Sequence, residues 1–383
     1  MLLKKLKKSM KIALVIDAWE PIIGGGQENV LEISKRIVKT DHSIDIFTRK
    51  LPGFTQDYTK KNINIFRSGP TTNFFNPLGR ILSIFSITAR LIKEHQKNHY
   101  DLIHAHVFLG AFPAKVFSFL TRIPIVLTVH GTNLTDTHSK GLSSWLEKKI
   151  CFEWKYQQVI TVGQGYLKYP HTSPVTVIPN GIDLSEFEHS SPPNRTNKIN
   201  FLFVGRFEWT KGIEHLLLAI KDIKENYPLI YKKIIFNLVG YGYNELKYQK
   251  LVAKYQISDV VKFLGKKTGH NLLKEFQSNN IFILPSITEG DSIVVKKAWA
   301  SKLPVIVTKS NGPEFYVDDK INGWITDHQS LSKTIILAAN TKSEVLIKMG
   351  NNGYQKVIKN YQWDKIAKLT LSVYKKAISP STN

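Results

Sequence analysis

Hydrophobic positions along this chain fall into two kinds of run that alternate from one end to the other. Short, nearly continuous apolar segments read as strands: Ile12–Ile16, Ser43–Thr48, Asp101–Ala105, Ile125–Val129 and Val159–Val162 in the first half, then Phe201–Val204, Ile234–Val239, Val260–Leu264, Ile281–Leu284 and Val305–Thr308. Segments with helical spacing lie between them, among them Glu28–Val38, Leu78–Lys97 and Ser143–Phe152. Strands apolar on both faces belong to parallel sheets covered on both sides, so the alternation predicts an α/β chain of two doubly wound parallel-sheet domains. The polar stretch Glu188–Asn197, with two prolines, reads as the linker between them. The expected picture is two domains facing across a cleft, with ligands at the carboxyl ends of the strands.

Composition agrees with two cores: 383 residues, 42% of them apolar, exceed what one core ordinarily organises. A single cysteine, Cys151, rules out a disulfide framework and points to a reducing compartment. Ile12–Ile16 is too short for a secretory core and runs into Asp17, and the apolar region Leu109–Val129 is broken by Lys115 and Arg122. No transmembrane helix is therefore expected, and the chain reads as cytoplasmic. A net charge of +23 is spread over both halves and suits nucleic acid, anionic lipid or a phosphate-bearing substrate, with a merely basic surface as the plain alternative. The dispersed cations and the lack of a nucleic-acid motif or stacking platform argue against nucleic acid. Met1–Lys11 mixes apolar and cationic residues, as a segment touching an anionic membrane surface would. Leu78, Ile81, Leu82, Phe85 and Ile92, set among Arg80, Arg90 and Lys93, form a second apolar stripe, which is expected mostly to serve the core.

Candidate chemistry gathers at strand ends. Strand Ile281–Leu284 runs into a loop carrying Glu289, and a helix is expected to start near Asp291 or Ser292, both good N-cap types. Such a unit aims backbone N–H groups and a positive dipole end at a phosphorylated ligand and leaves Glu289 to hold hydroxyls; a solvated loop glutamate is the alternative. Gly24, Gly25 and Gly26 follow the first strand and allow close backbone approach at the next helix. Gly205 and Arg206 follow Val204, with Lys211 and Gly212 shortly after, and the two cations together suit a diphosphate. His104 and His106, two apart on a strand, share one face; with no matching carboxylate or cysteine set, a metal site is not indicated. His130 ends another strand, where it either points into the cleft or is a satisfied structural histidine. No Asp-x-Asp occurs, so a metal-bridged diphosphate is not suggested.

Taken in order, Gly24-Gly25 with Glu28, His104-Ala-His106, Val129-His130-Gly131, Ile178-Pro-Asn180-Gly-Ile-Asp183, Val204-Gly-Arg206 with Lys211-Gly212, Pro285-Ser with Glu289-Gly290, Leu303-Pro-Val, Gly312-Pro-Glu314, Asn322-Gly323 and Tyr361-Gln-Trp363-Asp364 resemble the retaining glycosyltransferases of family 4. The resemblance covers nearly the whole chain. It implies the GT-B fold: Rossmann-like domains at 1–190 for the acceptor and 191–360 for a nucleotide-sugar donor, and a C-terminal helix in 361–383 that crosses back to the first domain. It further implies that Arg206 and Lys211 stabilise the leaving diphosphate, that Glu289 orients the donor sugar and that His130 contacts that sugar. Gly24, Gly25, Gly205, Gly290, Asp291, Ser292, Ile293 and Lys297 would surround the donor, and His104 and His106 would lie on the acceptor side. Activity would be transfer of a hexose from UDP- or GDP-hexose to a glycan or lipid-linked glycan, with no metal and no cofactor beyond the co-substrate. A GT-B phosphorylase or a sugar-nucleotide epimerase is the rival enzyme; a catalytically weak nucleic-acid- or membrane-binding protein is the rival of another class.

One position departs from the pattern. The family's usual second glutamate, eight places after the first, is Lys297 here, preceded by Lys296, and Asp291-Ser292 replace a common Phe-Gly pair. A lysine cannot accept the ribose hydroxyl protons that a carboxylate accepts. Lys297 is therefore expected to meet a phosphate oxygen or to pair with Asp291 or another acid, and a weakened enzyme is the competing reading.

Overall fold

The computed structural model describes residues 9–21, 24–73, 76–130, 142–187 and 198–379. The expected linker Glu188–Asn197, most of the basic N-terminal stretch and Gly131 lie outside the described residues. The chain divides into two compact units, Met1–Asn180 with Trp363–Asn383, and Gly181–Gln362.

In the first unit, β1 (Lys11–Ile16), β2 (Ser43–Arg49), β3 (Tyr58–Lys60), β4 (Ile63–Ser68), β5 (Leu102–His106), β6 (Ile125–Val129), β7 (Gln158–Thr161) and β8 (Val175–Val177) form one sheet. Its order is β3-β4-β2-β1-β5-β6-β7-β8, parallel except where β3 pairs antiparallel with β4. Side chains alternate across β1, as the pleat requires. Ile12, Leu14 and Ile16 enter a core shared with Val30 and Ile33 of α1 (Gly25–Ile37) and with Trp363 and Tyr374. Ala13 and Val15 enter the opposite core with Ile87 and Leu91 of α2 (Pro77–Asn98) and Phe117 of α3 (Val107–Thr121). Full burial of each such aliphatic side chain contributes roughly 1.5–3 kcal/mol.

In the second unit, β9 (Ile199–Val204), β10 (Ile234–Val239), β11 (Val261–Phe263), β12 (Ile281–Leu284), β13 (Val305–Thr308) and β14 (Gly323–Thr326) form a parallel sheet in the order β11-β10-β9-β12-β13-β14. Phe201 and Phe236 stack inside it with centroids 4.8 Å apart. The order reverses direction between β9 and β12, and in the first sheet between β1 and β5; crevices for ligands open at the carboxyl ends of those strands. Three further helices bear on the site: α4 (Ile213–Asn226), α5 (Ile293–Ala300) and α6 (Trp363–Ile378), the last of which belongs to the first unit.

Two expectations change and one holds. β3, β4, β8 and β14 were not expected; each is short or semi-polar and lies at or next to a sheet edge, where the apolar signal is weak. The region Leu109–Val129, expected to be broken, is most of α3 followed by β6, and among the described residues no helix is long and apolar enough to cross a membrane. Apart from Ile92, which packs against the core, the stripe on α2 does not serve the core. Leu78 and Phe85 are 64% and 69% exposed, and Ile81 and Leu82 are also exposed, because that helix buries Ser83, Ile87 and Leu91 instead.

Candidate active site

The crevice of the second unit is built by two loops pressed together. After β9, Gly205 and Arg206 lead into the short turn Trp209–Lys211 and then Gly212, which opens α4. Gly212 takes φ +65°, and a Cβ there would lie 1.8 Å from the Pro285 carbonyl oxygen at the end of β12, so only glycine fits. The Ile287 N–H donates to the Thr210 carbonyl at 2.8 Å, joining the loops a second time. This brings Lys211 Nζ to 2.6 Å from Glu289 Oε2, with side chains 19% and 14% exposed. The Ser286 hydroxyl donates to the same carboxylate oxygen at 3.4 Å. The Glu289 N–H donates to Ser310 O at 3.0 Å, and Gly312 packs under the Glu289 and Gly290 carbonyls so closely that a Cβ would clash with both. Arg206, expected beside Lys211, is instead 69% exposed and pairs with Glu208 Oε1 at 2.8 Å.

At the start of α5, Ser292 is the N-cap residue, but its side chain makes no capping bond, and its N–H donates to the Tyr316 hydroxyl at 3.1 Å. Asp291, expected to face the donor, is corrected: its carboxylate is buried against Lys296 Nζ, 2.6 Å from each oxygen. The acid that Lys297 was expected to engage is thus taken by its neighbour. Lys297 itself is half-buried on the same helix, next to Ile293 and Val294 in the partly exposed set.

In the first unit, Gly24 is the extended N-cap of α1, and the Glu28 N–H donates to its carbonyl at 3.0 Å. A Cβ on Gly26 would lie 3.5 Å from the His130 ring, so the glycine loop and His130 are neighbours. His130 Nε2 meets His106 Nδ1 at 2.7 Å, with the rings stacked 5.1 Å apart. The turn after His106 is tight, since Val107 takes φ +56°, a costly conformation for a β-branched residue. His104 does share a face with His106, its ring 4.2 Å away. Its place on the acceptor side is nonetheless corrected. Both ring nitrogens are engaged inside the unit, Nδ1 with the Tyr374 hydroxyl of α6 at 2.6 Å and Nε2 with Thr128 Oγ1 at 2.7 Å.

Desolvation pushes His130 down to about 4 and His104 down to about 3, and holds His106 well below its ordinary value, with the neighbouring imidazoles adding to the last two. All three rings are therefore neutral near pH 7. In the His106–His130 contact one ring donates and the other accepts, which leaves His106 Nε2 and His130 Nδ1 as one donor and one acceptor, both buried and unsatisfied. A neutral donor–acceptor edge beside a glycine loop suits sugar hydroxyls; the Lys211–Glu289 pair suits a phosphate together with hydroxyls. Sequence reasoning missed Tyr316, Tyr374 and Lys296, which touch the motif residues only through the fold. Among the described residues no group of three or more His, Cys, Asp or Glu side chains is gathered in a way that could hold a metal ion.

Known proteins share both sequence and architecture with this chain. The family model for Glycosyltransferase Family 4 matches residues 23–186, and that for Glycosyl transferases group 1 matches residues 185–356. An uncharacterized glycosyltransferase of Methanocaldococcus jannaschii is 28% identical over 96% of this chain and 99% of its own length. The UDP-Gal:α-D-GlcNAc-diphosphoundecaprenol α-1,3-galactosyltransferase of Escherichia coli is 25% identical over 94% of this chain and 95% of its own. Among solved structures, sucrose-phosphate synthase from Thermosynechococcus elongatus superposes with a TM-score of 0.81 at 21% identity, covering 96% of this chain and 98% of that one. Anabaena HepE in complex with UDP superposes with a TM-score of 0.72 at 16% identity, covering 95% and 99%. With two family models in tandem and two parallel α/β sheets of the GT-B type, the chain belongs to the family 4, group 1 glycosyltransferases and is an enzyme of that class.

Proposed function

We propose that this enzyme moves a hexose from a nucleotide sugar, a UDP- or GDP-hexose, to a growing glycan or lipid-linked glycan, with retention at the anomeric carbon and without a divalent metal. The observation that carries the proposal is the Lys211–Glu289 contact at the β9/β12 switch point. A cation there opposes the charge that grows on a departing diphosphate, and an adjacent carboxylate accepts sugar hydroxyls and so orients the reacting carbon. Arg206, at the rim, meets the outer phosphate, with Gly205, Gly290 and Ile293 lining the donor. The second unit thus takes the donor. The first unit takes the acceptor, and the neutral His106–His130 edge beside the glycine loop suits sugar hydroxyls. A donor of this class fits the UDP and UDP-glucose complexes of HepE, and a lipid-linked acceptor fits the diphosphoundecaprenol acceptor named for the E. coli galactosyltransferase.

The enzyme works at the cytoplasmic face of a membrane, as a peripheral protein. The exposed apolar residues of α2, together with Val116, Phe119 (83% exposed) and Leu120 on α3, support this, and exposed Lys93, Lys97 and Arg122 add the charge that anionic lipid requires. Sedimentation with anionic liposomes at low salt tests the surface, and a Phe85→Ser, Phe119→Ser variant should stay in the supernatant. The activity is tested by nucleotide release from UDP-, GDP- and ADP-hexoses with a membrane extract as acceptor source. Release from a UDP- or GDP-hexose that persists in chelator is expected. Abolition by chelator would refute metal independence, and turnover without any acceptor would favour an epimerase.

A further inference from the structure

The loop that carries Glu289 is tied down by a second ion pair, set deeper than the first. Asp291 stands two residues after Glu289, and Lys296 lies within α5. Their side chains are 1% and 0% exposed. The ammonium lies 4.7 Å from the ring centroid of Tyr361 and 5.6 Å from that of Tyr316, whose hydroxyl also takes the Ser292 N–H. Loop residues 291 and 292, helix residue 296 and two aromatic rings thereby close into one cluster, all within the second unit.

Stability does not account for this arrangement. A lysine near the start of a helix opposes the helix dipole. Removing both charges from water costs several kcal/mol per ion, and apolar residues of similar volume replace such pairs at little cost or with a gain. What a buried pair does supply is a single geometry, because either charge left unpaired there is strongly unfavourable. We infer that Asp291 and Lys296 are positioning residues: the pair fixes the loop 289–292 against α5 and so holds the Glu289 carboxylate at Lys211. The inference rests on the reading of that contact as the donor site.

The experiment compares Lys296→Met, Lys296→Arg and the double variant Asp291→Leu, Lys296→Met, using whichever donor the release screen identifies. The double variant should melt at or above the wild-type temperature, yet its kcat should fall on the order of 100-fold, the cost of about 1 Å of misplacement. Its donor KM should stay within about threefold, and Lys296→Arg, which keeps a cation facing Asp291, should recover most of kcat. Wild-type kcat in the double variant would show that the pair only fills space. A raised KM at unchanged kcat would make it a donor-binding group rather than a strut. A crystal structure of the double variant is the second readout: the Glu289–Lys211 contact should be lost, and its retention would overturn the inference. If the wild type releases nucleotide from no donor, the donor-site reading fails, and the crystal structure still decides whether the pair positions Glu289.

Discussion

At the carboxyl ends of β9 and β12 the chain brings a cation to within 2.6 Å of a carboxylate. At the corresponding ends of β1, β5 and β6 it brings Gly26 of the glycine loop against the His130 ring, which stacks on His106. Topology places the two sites alike, at the strand ends where each sheet reverses its order. Their electrostatics are opposite. The second unit keeps full charges at a partly open crevice, where they can be exchanged for those of a ligand. The first unit desolvates its histidines until they are neutral. The comparison teaches that a repeated fold sets where a ligand is met, while the residues at the strand ends set whether the site handles charge or hydroxyls.

The largest losses of activity come from the charged side. Lys211→Ala and Glu289→Ala should each lower kcat about 10²- to 10³-fold in steady-state assays, as expected of groups acting on developing charge or on the position of the reacting carbon. Arg206→Ala should cost clearly less, since that side chain is mostly exposed and shares its charge with Glu208. A His130→Ala enzyme more impaired than Lys211→Ala would reverse the assignment.

Next in size is a structural effect. Gly212→Ala forces a side chain into left-handed backbone and onto the Pro285 carbonyl. A destabilisation of about 2 kcal/mol or more is expected, seen as a Tm lowered by roughly 5 °C or more. An unchanged melting curve would mean that the two loops are not pressed together as described.

Acid should sharpen the contrast from the other side. The three histidines have ordinary values near 6.5 when unfolded and lower ones when folded, so below about pH 6.5 the unfolded chain binds more protons. Their contribution to stability is therefore full above that pH and is lost as pH falls through the folded values, about 4 for His130 and about 3 for His104. Thermal melts between pH 7.5 and 5 should show a falling Tm, with a shallower fall in His130→Gln. A Tm independent of pH over that range would contradict neutral histidines in the first unit.

The smallest effect is expected at Lys297. Lys297→Glu restores an acceptor on α5 and should change donor KM by a few-fold, or change the preferred nucleotide, at unchanged Tm. If the wild type turns over no donor and this variant does, the chain is a weakened enzyme.

Much of this was legible in the residues. β6, β10, β12 and β13 span the ranges expected for them, because buried parallel strands are continuous apolar runs. Gly205, Lys211, Glu289 and His130 were likewise visible as polar or glycine interruptions at strand ends. β3, β4, β8 and β14 were not visible, since each is short or interrupted by polar residues and so carries little apolar signal, and neither was the fate of α2. Its stripe has the spacing of a core helix, but whether anything covers a stripe is decided by what packs there.

The sequence by itself therefore determined the alternation of elements, two cores and the chemistry offered at each strand end, all of which follow from local periodicity and residue type. Only the tertiary structure decided which of Lys296 and Lys297 turns inward, since neighbours on a helix differ by about 100° and either fits the local pattern. It also decided that His104 is a structural tie while His106 meets His130. The hydroxyl that engages His104 comes from Tyr374, 270 residues away. Burial and hydrogen-bond partnership depend on such distant contacts, which no local pattern encodes.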